Sequence, residues 1–330
     1  MKKKVGFIGA GRIGRRLYQR IIAKGWIVPV IVTRSGVFRY YDIGLTEKID
    51  AQERWLDYFD VDAACLVIST EDDGTIALNY MKSLSERNIP VVTSEKGALG
   101  NYFPELEKWL AKIGYNASVG GGTKMLEWAK KRVDAEVEEV YAVVNGTLNY
   151  GFDGMSRART VYEVFEETKT LGYAEPGPAT PLEIINKESC GDVPMKVAIL
   201  FNHCFARYAG QYIRAGDITP QAISEADLNR LIREAAKRRY IVSITKRELE
   251  EDTIGGFTHK IGDWIISGGF KDKNENPLFL RLVPSGVNNS LLICKGKHGR
   301  DGTPCLSGEG AGVGPTTSTM MEDVIELIGE

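Results

Sequence analysis

Apolar runs and stretches of helical spacing alternate through the first third of the chain. Residues 5–8 form a short apolar run, after which Leu17, Ile21 and Ile22 recur as one face of a helix. Residues 27–32 are a second apolar run. Pro29 interrupts it and cannot donate to a ladder, so an irregular strand is expected. Residues 63–69 and 89–93 read as buried strands with a helix over 74–86 between them, and 105–112 is amphipathic. This rhythm predicts a parallel α/β domain. The pattern then changes. Residues 140–144 read as a strand ending in the turn-like cluster 145–150. Residues 160–171 have helical spacing, with Thr160 and Glu163 placed as a capping box and Gly172 as the stop. A strongly apolar helix is expected over 197–205 and a charged one over 222–239. Short strands follow at 241–244, 264–266, 278–283 and 290–294, and a closing helix at 318–328. These elements predict an α+β second domain with a mixed sheet and helices on one face.

Composition narrows the classes. The chain has 330 residues, enough for two domains of the usual ~100–200 residues. A net charge of −2 gives no basic footprint, so nucleic acid is not an expected partner. No apolar run reaches the roughly 18 residues of a membrane span, and the first strand is too short for a signal peptide. The five cysteines are odd in number and lack CxxC spacing. A disulfide framework and a zinc site are therefore not expected, and a reducing cytoplasm fits.

Two stretches carry candidate chemistry. Gly9-Ala10-Gly11-Arg12-Ile13-Gly14 sits between the first strand and the first helix. In that context a GxGxxG reads as a dinucleotide loop: Gly9 for the tight turn, Gly11 for approach to the pyrophosphate, Gly14 for helix–strand packing. The helix N-terminus offers its N–H groups to phosphate. Where an acidic residue would bind the ribose of NAD, the chain has Thr33-Arg34-Ser35. A guanidinium there favours the 2′-phosphate of NADP, with Arg12 or Arg39 in support and NAD as the alternative. Ser94-Glu95-Lys96 falls at the carboxyl end of a strand, where ligands of such sheets bind, so Lys96 is a candidate active-site amine. The second stretch runs from Gly172 to Lys196. A helix starting near residue 193 would put Asp192 and Lys196 on one side of its first turn, at the positive end of the dipole, and Glu175 lies on the turn before. Two carboxylates and an amine would supply a proton donor, an orienting partner and a substrate contact. On their own these three residues read equally as a cap, a solvated lysine and a surface turn. The glycine-rich 308–314 before the closing helix is a second candidate ligand-facing loop, or else a flexible entry to that helix.

With these residues laid out, the chain resembles the homoserine dehydrogenase family over nearly its whole length. The resemblance rests on Gly9 to Gly14, Ser94 to Lys96, Ala117-Ser-Val-Gly-Gly-Gly122, Asn145-Gly-Thr-Leu-Asn-Tyr150, Gly172-Tyr-Ala-Glu-Pro176, Gly191-Asp-Val-Pro-Met-Lys196 and Gly310-Ala-Gly312, in family order. It implies a Rossmann nucleotide domain, 1–122, completed by 308–330 with the closing helix packed back on it. Residues 123–307 would be a catalytic, substrate-binding and dimerisation domain. It implies NAD(P)-linked interconversion of L-aspartate 4-semialdehyde and L-homoserine, a step of threonine and methionine biosynthesis, in a homodimer. By position, Lys196 resembles the family's general acid/base, Asp192 its orienting partner and Lys96 the lysine beside the nicotinamide. Glu175, Tyr173 and Thr147 resemble substrate-pocket residues. Gly310 would join Gly9, Gly11, Arg12, Ile13, Gly14 and Arg34 in cofactor binding. Asn116, Val119 and Gly121 would offer oxygens to a weak monovalent-cation site.

The chain departs from the family pattern at several positions. Gly177 stands where the family has an aspartate, a second aspartate before the Gly-x-Asp has no match, and 179–190 is longer than usual. Glu183 or Glu188 would then hold the substrate's amino group, or the substrate differs. Asn116 replaces a glutamate beside the cation site, and Lys124 replaces a proline. No appended kinase or regulatory domain is expected, and hence no threonine feedback through one. Two other readings stand beside the first: an oxidoreductase for another small oxo acid, and a non-catalytic dinucleotide sensor.

Overall fold

The structure is a computed structural model that describes every residue except Met1, Ile43, Gly44, Glu71, Glu175, Pro176, Glu250 and Glu251. It divides into two units, Met1–Ser118 with Val313–Glu330, and Val119–Gly312.

The first unit opens with β1 (Val5–Ile8), α1 (Arg12–Ala23), β2 (Ile31–Thr33), β3 (Gly36–Asp42) and β4 (Leu45–Asp50). It continues with β5 (Ala63–Leu66), α2 (Thr75–Glu86), β6 (Val91–Thr93), α3 (Gly97–Leu106) and β7 (Ile113–Gly114). The sheet order is β4-β3-β2-β1-β5-β6-β7. β2, β1, β5, β6 and β7 are parallel, whereas β3 and β4 add an antiparallel ribbon. Pro29 has the expected effect: regular pairing of β2 begins only at Ile31, and the Phe7 N–H reaches the Val30 carbonyl outside the ladder. The ribbon was not expected. Its signal lies in the β-forming Val37, Phe38 and Tyr40 just after the two-residue turn Arg34-Ser35, which brings Thr33 opposite Gly36. The amphipathic 105–112 divides between the end of α3 and a 3₁₀ stretch, Glu107–Lys112.

The second unit contains α4 (Met125–Lys130), β8 (Val137–Val143), α5 (Gly146–Ser156), α6 (Val161–Leu171), α7 (Pro181–Lys187), α8 (Val193–Cys204), α9 (Ala206–Ala209) and α10 (Glu225–Arg233). Then come β9 (Arg238–Thr245), β10 (Thr253–Ile261), β11 (Trp264–Asp272), α11 (Pro277–Leu282), β12 (Asn288–Lys295) and β13 (Cys305–Glu309). Its sheet order is β10-β11-β9-β8-β12-β13. The sheet expected to be mixed is antiparallel at every pairing; the mixture of directions lies in the first unit. The capping box of α6 forms as read, and Gly172 ends that helix.

Several local readings are corrected. Residues 278–283 are not a strand but α11, because Asn276 caps the Leu278 N–H and Pro277 takes the first helical position. The cluster after β8 is not a turn: Asn145 is the N-cap of α5. The helix expected over 222–239 spans only Glu225–Arg233, started by a Ser224/Asp227 capping box, and β9 begins at Arg238. β10 was missed because paired glycines and a bulge between Ile254 and Gly256 break its alternation.

The closing helix α12 (Val313–Ile328) belongs to the first unit. Its Met320, Met321 and Val324 join Val5, Phe7, Leu17 and Ile21 in one buried cluster. Each such side chain contributes roughly 1.5–3 kcal/mol when fully buried. Arg20 of α1 donates to Thr317 Oγ1 and the Gly314 carbonyl. Among the described residues no helix is long and apolar enough to cross a membrane.

Candidate active site

In the first unit the loop from β1 to α1 is shaped by close contacts. Gly9 has φ +103°, and a Cβ there would lie 2.4 Å from the Val67 carbonyl oxygen. A Cβ on Gly14 would lie 2.9 Å from the Gly9 oxygen. Gly11 differs, because among the described residues nothing lies within 4 Å of where its Cβ would be. The space in front of the helix is therefore open. No side chain caps α1, whose first helical hydrogen bond runs from Arg15 N–H to Gly11 O at 2.9 Å. Uncapped N–H groups facing open space suit a pyrophosphate. Arg12 is exposed and Ile13 half-buried in the first turn, while Arg34 is exposed on the β2–β3 turn. The Thr33 and Ser35 hydroxyls, 2.8 Å apart, brace that turn.

Lys96 follows β6 at the start of α3 and is half-buried. Its neighbour Glu95, buried, fixes the loop. The Glu95 carboxylate accepts from Gly97 N–H at 2.6 Å, Ala98 N–H at 3.0 Å and Thr70 Oγ1 at 2.6 Å. A carboxylate on the first N–H groups of a helix is well placed against its dipole.

In the second unit α8 begins at Val193 as expected, but that start is not a free helix end. α7, α8 and the wide turn Glu188–Asp192 between them run on in helical conformation, with Val193 N–H donating to Glu188 O five residues back. Asp192 is thus no N-cap. Lys196 lies far from the beginning of the run at Pro181, so the dipole argument for it falls away. What brings the groups together is spacing along this helix and a side chain from elsewhere. Asn145 Nδ2 donates to Glu188 Oε2 at 2.6 Å and to Asp192 Oδ2 at 2.9 Å, while its Oδ1 accepts from Leu148 N–H at 2.8 Å. Lys196 Nζ meets Asp192 Oδ2 at 2.6 Å and donates to the Val144 carbonyl at 3.0 Å. The Lys196 side chain is 12% exposed and that of Asp192 17%. The pairing is charge-assisted and largely shielded from solvent. π-type turns of this kind recur at functional sites.

Of the pocket residues, Thr147 is buried and donates its hydroxyl to the Tyr173 carbonyl at 2.9 Å. The Tyr173 ring packs edge-on against Tyr150 at 5.4 Å, and the Tyr150 hydroxyl donates to Glu167. Thr147 thereby ties down the segment leading to Glu175, which lies outside the described residues. Glu183 is committed to the capping box of α7 with Thr180, so it is not available to replace the missing aspartate; Glu188, buried beside Asp192, is the one placed in the cluster. Asn116 lies in the first unit, where its backbone N–H and Nδ2 donate to Asp323. Val119 and Gly121 lie in the second. Gly310 belongs to the second unit too and packs against the Asn289 amide. Among the described residues no three His, Cys, Asp or Glu side chains are grouped to hold a metal.

Sequence reading missed Asn145 and Glu95 as functional supports. An Asn directly before the apolar-periodic residues of a helix was a visible cap signal, but its contacts to 188 and 192 were not.

The sequence profile of the family described as homoserine dehydrogenase matches residues 127–325. A homoserine dehydrogenase of Pyrococcus horikoshii is 25% identical over 99% of this chain and 97% of its own length. One from Synechocystis sp. is 25% identical over 72% of this chain, and the chain spans about half (52%) of that relative's length. Two solved structures share the fold. A homoserine dehydrogenase of Thermoplasma acidophilum superposes with a TM-score of 0.72 at 17% identity over 99% of both chains. A hyperthermophilic archaeal homoserine dehydrogenase in complex with NADPH gives 0.69 at 22% identity, covering 99% of this chain and 98% of that one. Since the profile takes in more than half of the residues, the Lys196 cluster among them, this chain belongs to the homoserine dehydrogenase family.

Proposed function

We propose that the protein interconverts L-homoserine and L-aspartate 4-semialdehyde with NADP(H), using Lys196 as proton acceptor and donor. The observation that carries this reading is the shielded amine of Lys196, held between Asp192 and the Val144 carbonyl in a chain of this family. When bound, the nucleotide supplies or accepts the hydride. The protein supplies the rest. Lys196 has three N–H directions as an ammonium, and two are used by Asp192 and Val144, which leaves one for the substrate oxygen. In reduction it gives the proton that neutralises charge on the former aldehyde oxygen, and in oxidation it takes the hydroxyl proton. Asp192 orients the amine. Glu188 receives the substrate's ammonium, in place of the aspartate the family pattern has there. Thr147 and Tyr173 position the segment that carries Glu175.

The open space at Gly11, the uncapped α1 and the exposed Arg34 support NADP binding in the first unit, and a relative's NADPH complex favours the same nucleotide. Lys96 would approach the nicotinamide side, held by the Glu95 cap. The protein would work as a homodimer in the cytoplasm, with its five cysteines free.

Following NADP⁺ reduction with homoserine, beside a panel of other small hydroxy acids, tests the reaction. Turnover with homoserine is expected; turnover only with another acid would replace the substrate assignment. Arg34→Asp is expected to lower the NADP/NAD preference roughly tenfold or more, as loss of a charge-assisted contact does. Light scattering reads the oligomeric state.

A further inference from the structure

The β8–β12 ladder ends at Val143, which pairs with Ser290. The next carbonyl, that of Val144, is left without a strand partner and is taken by two side chains. One is Lys196 Nζ at 3.0 Å; the other is Asn289 Nδ2 at 2.9 Å. Asn289 is fully buried on β12, and among the described residues its Oδ1 has no hydrogen-bond partner. It is also wedged from the other side. A Cβ built on Gly310 would lie 2.1 Å from the Asn289 amide carbon and oxygen, so that amide rests directly on the Gly310 backbone. Gly310 is held in turn by its N–H to the Val287 carbonyl at 3.3 Å. A Cβ on Gly121 would lie 2.7 Å from the Gly310 oxygen. The glycine-rich segments around 121 and 310 therefore pack on one another and press on the same amide.

We propose that Asn289, seated on Gly310, is a positioning residue for Lys196: it fixes the Val144 carbonyl against which the catalytic amine is aimed. This rests on Lys196 being the proton-transfer group. A carbonyl oxygen has two acceptor directions, and here both are filled. The Asn289 N–H pins the oxygen, and the pinned oxygen with Asp192 defines where the Lys196 amine stands. Asn289 touches no reacting atom. Its buried carboxamide packs directly on Gly310, where a side chain would displace it. The absence of a side chain at 310 is explained by this packing, independently of any contact with a nucleotide.

The test separates this role from general stability and from the reaction itself. Acylation of lysine amines by acetic anhydride, quantified residue by residue by mass spectrometry from pH 6 to 11, reads Lys196 without turnover. Lys131 serves as an internal exposed control. In Asn289→Asp, once the buried carboxyl ionises at the upper end of the pH range, a carboxylate replaces the donor to the Val144 carbonyl, repels that oxygen and adds negative charge to the cluster. The midpoint of Lys196 acylation is expected to move up by at least half a pH unit, with Lys131 unmoved. In Asn289→Ala and Gly310→Ala, kcat for homoserine is expected to fall about tenfold with KM for the nucleotide within twofold, and Lys196 acylation at pH 8 to change at least threefold. Unchanged Lys196 acylation in folded Asn289→Asp overturns the proposal, whatever the activity. A kcat drop matched by an equal rise in nucleotide KM, with acylation unaltered, also overturns it and returns Gly310 to cofactor binding. Wild-type protein that is inert with homoserine but shows the acylation shift would leave Asn289 as the support of Lys196 and remove the substrate assignment instead.

Discussion

The glycine loop of the first unit and the amine cluster of the second are built in opposite ways. The loop is local: Gly9, Gly11 and Gly14 lie within six consecutive residues, and their effect comes from backbone and missing side chains. The cluster is assembled. Asn145, Glu188, Asp192 and Lys196 come from two separate segments, and Asn289 from a third. A local site tolerates change in the rest of the chain as long as one turn keeps its shape. An assembled site depends on each element that holds a partner in place, so single changes there spread through shared hydrogen bonds.

The sharpest break of this contrast is at Lys196. Lys196→Ala is expected to lower homoserine oxidation by about a thousandfold, within the range of a lost general acid–base, while the NADP-induced rise in Tm is retained. Equal loss of nucleotide stabilisation would mean that the two sites are not separable. Next is Asn145, which serves as both cap and clamp. Asn145→Ala removes an N-cap worth about 1 kcal/mol and strips a donor from two shielded carboxylates at roughly 1–3 kcal/mol more. Urea unfolding should show that loss together with a lower kcat; a stable but inactive variant would make the clamp purely catalytic.

A third probe reports on α8, the helix that bears Lys196. Burial, reinforced by the Lys130 charge, pushes the His203 imidazole down to about 4 from 6.5. The folded state therefore resists protonation that the unfolded chain accepts. Stability should be complete above about pH 6.5 and decline as pH falls toward 4. Between pH 7 and 5 this contributes a loss of about 2 kcal/mol, from about 1.36 kcal/mol per pH unit. His203→Gln should flatten that part of the profile; a variant with the same slope would place the titration elsewhere. The smallest effect on the fold is expected at Gly11. Gly11→Ala meets nothing in the protein, so Tm should stay within about a degree, yet NADP should bind roughly tenfold more weakly because the methyl occupies the space left for the pyrophosphate. Gly9→Ala, forced against the Val67 carbonyl, should instead lower Tm. Unaltered NADP affinity in Gly11→Ala would move the nucleotide away from this loop.

Much of this architecture was visible in one dimension. The strand–loop–helix at Gly9, the disturbance at Pro29, the box at Thr160 and Glu163 and the pairing of Asp192 with Lys196 all depend on neighbours within a few residues, where spacing and propensity suffice. Even inside that range the sequence misled where two local signals compete. Asn145-Gly146-Thr147 carries turn residues, but the Leu148 N–H made Asn145 a cap. Asn276-Pro277 began a helix in a run apolar enough to pass for a strand. Tertiary structure alone decided the partners across distance. That Asn145 bridges Glu188 and Asp192, and that the Val144 carbonyl is left for Lys196 and Asn289, depend on where a ladder stops and how a wide turn rotates a helix. Such contacts are fixed by packing across sequence separations of 43 to 145 residues. Residue order records which groups are available; which of them meet is set by the close-packed interior that admits one arrangement.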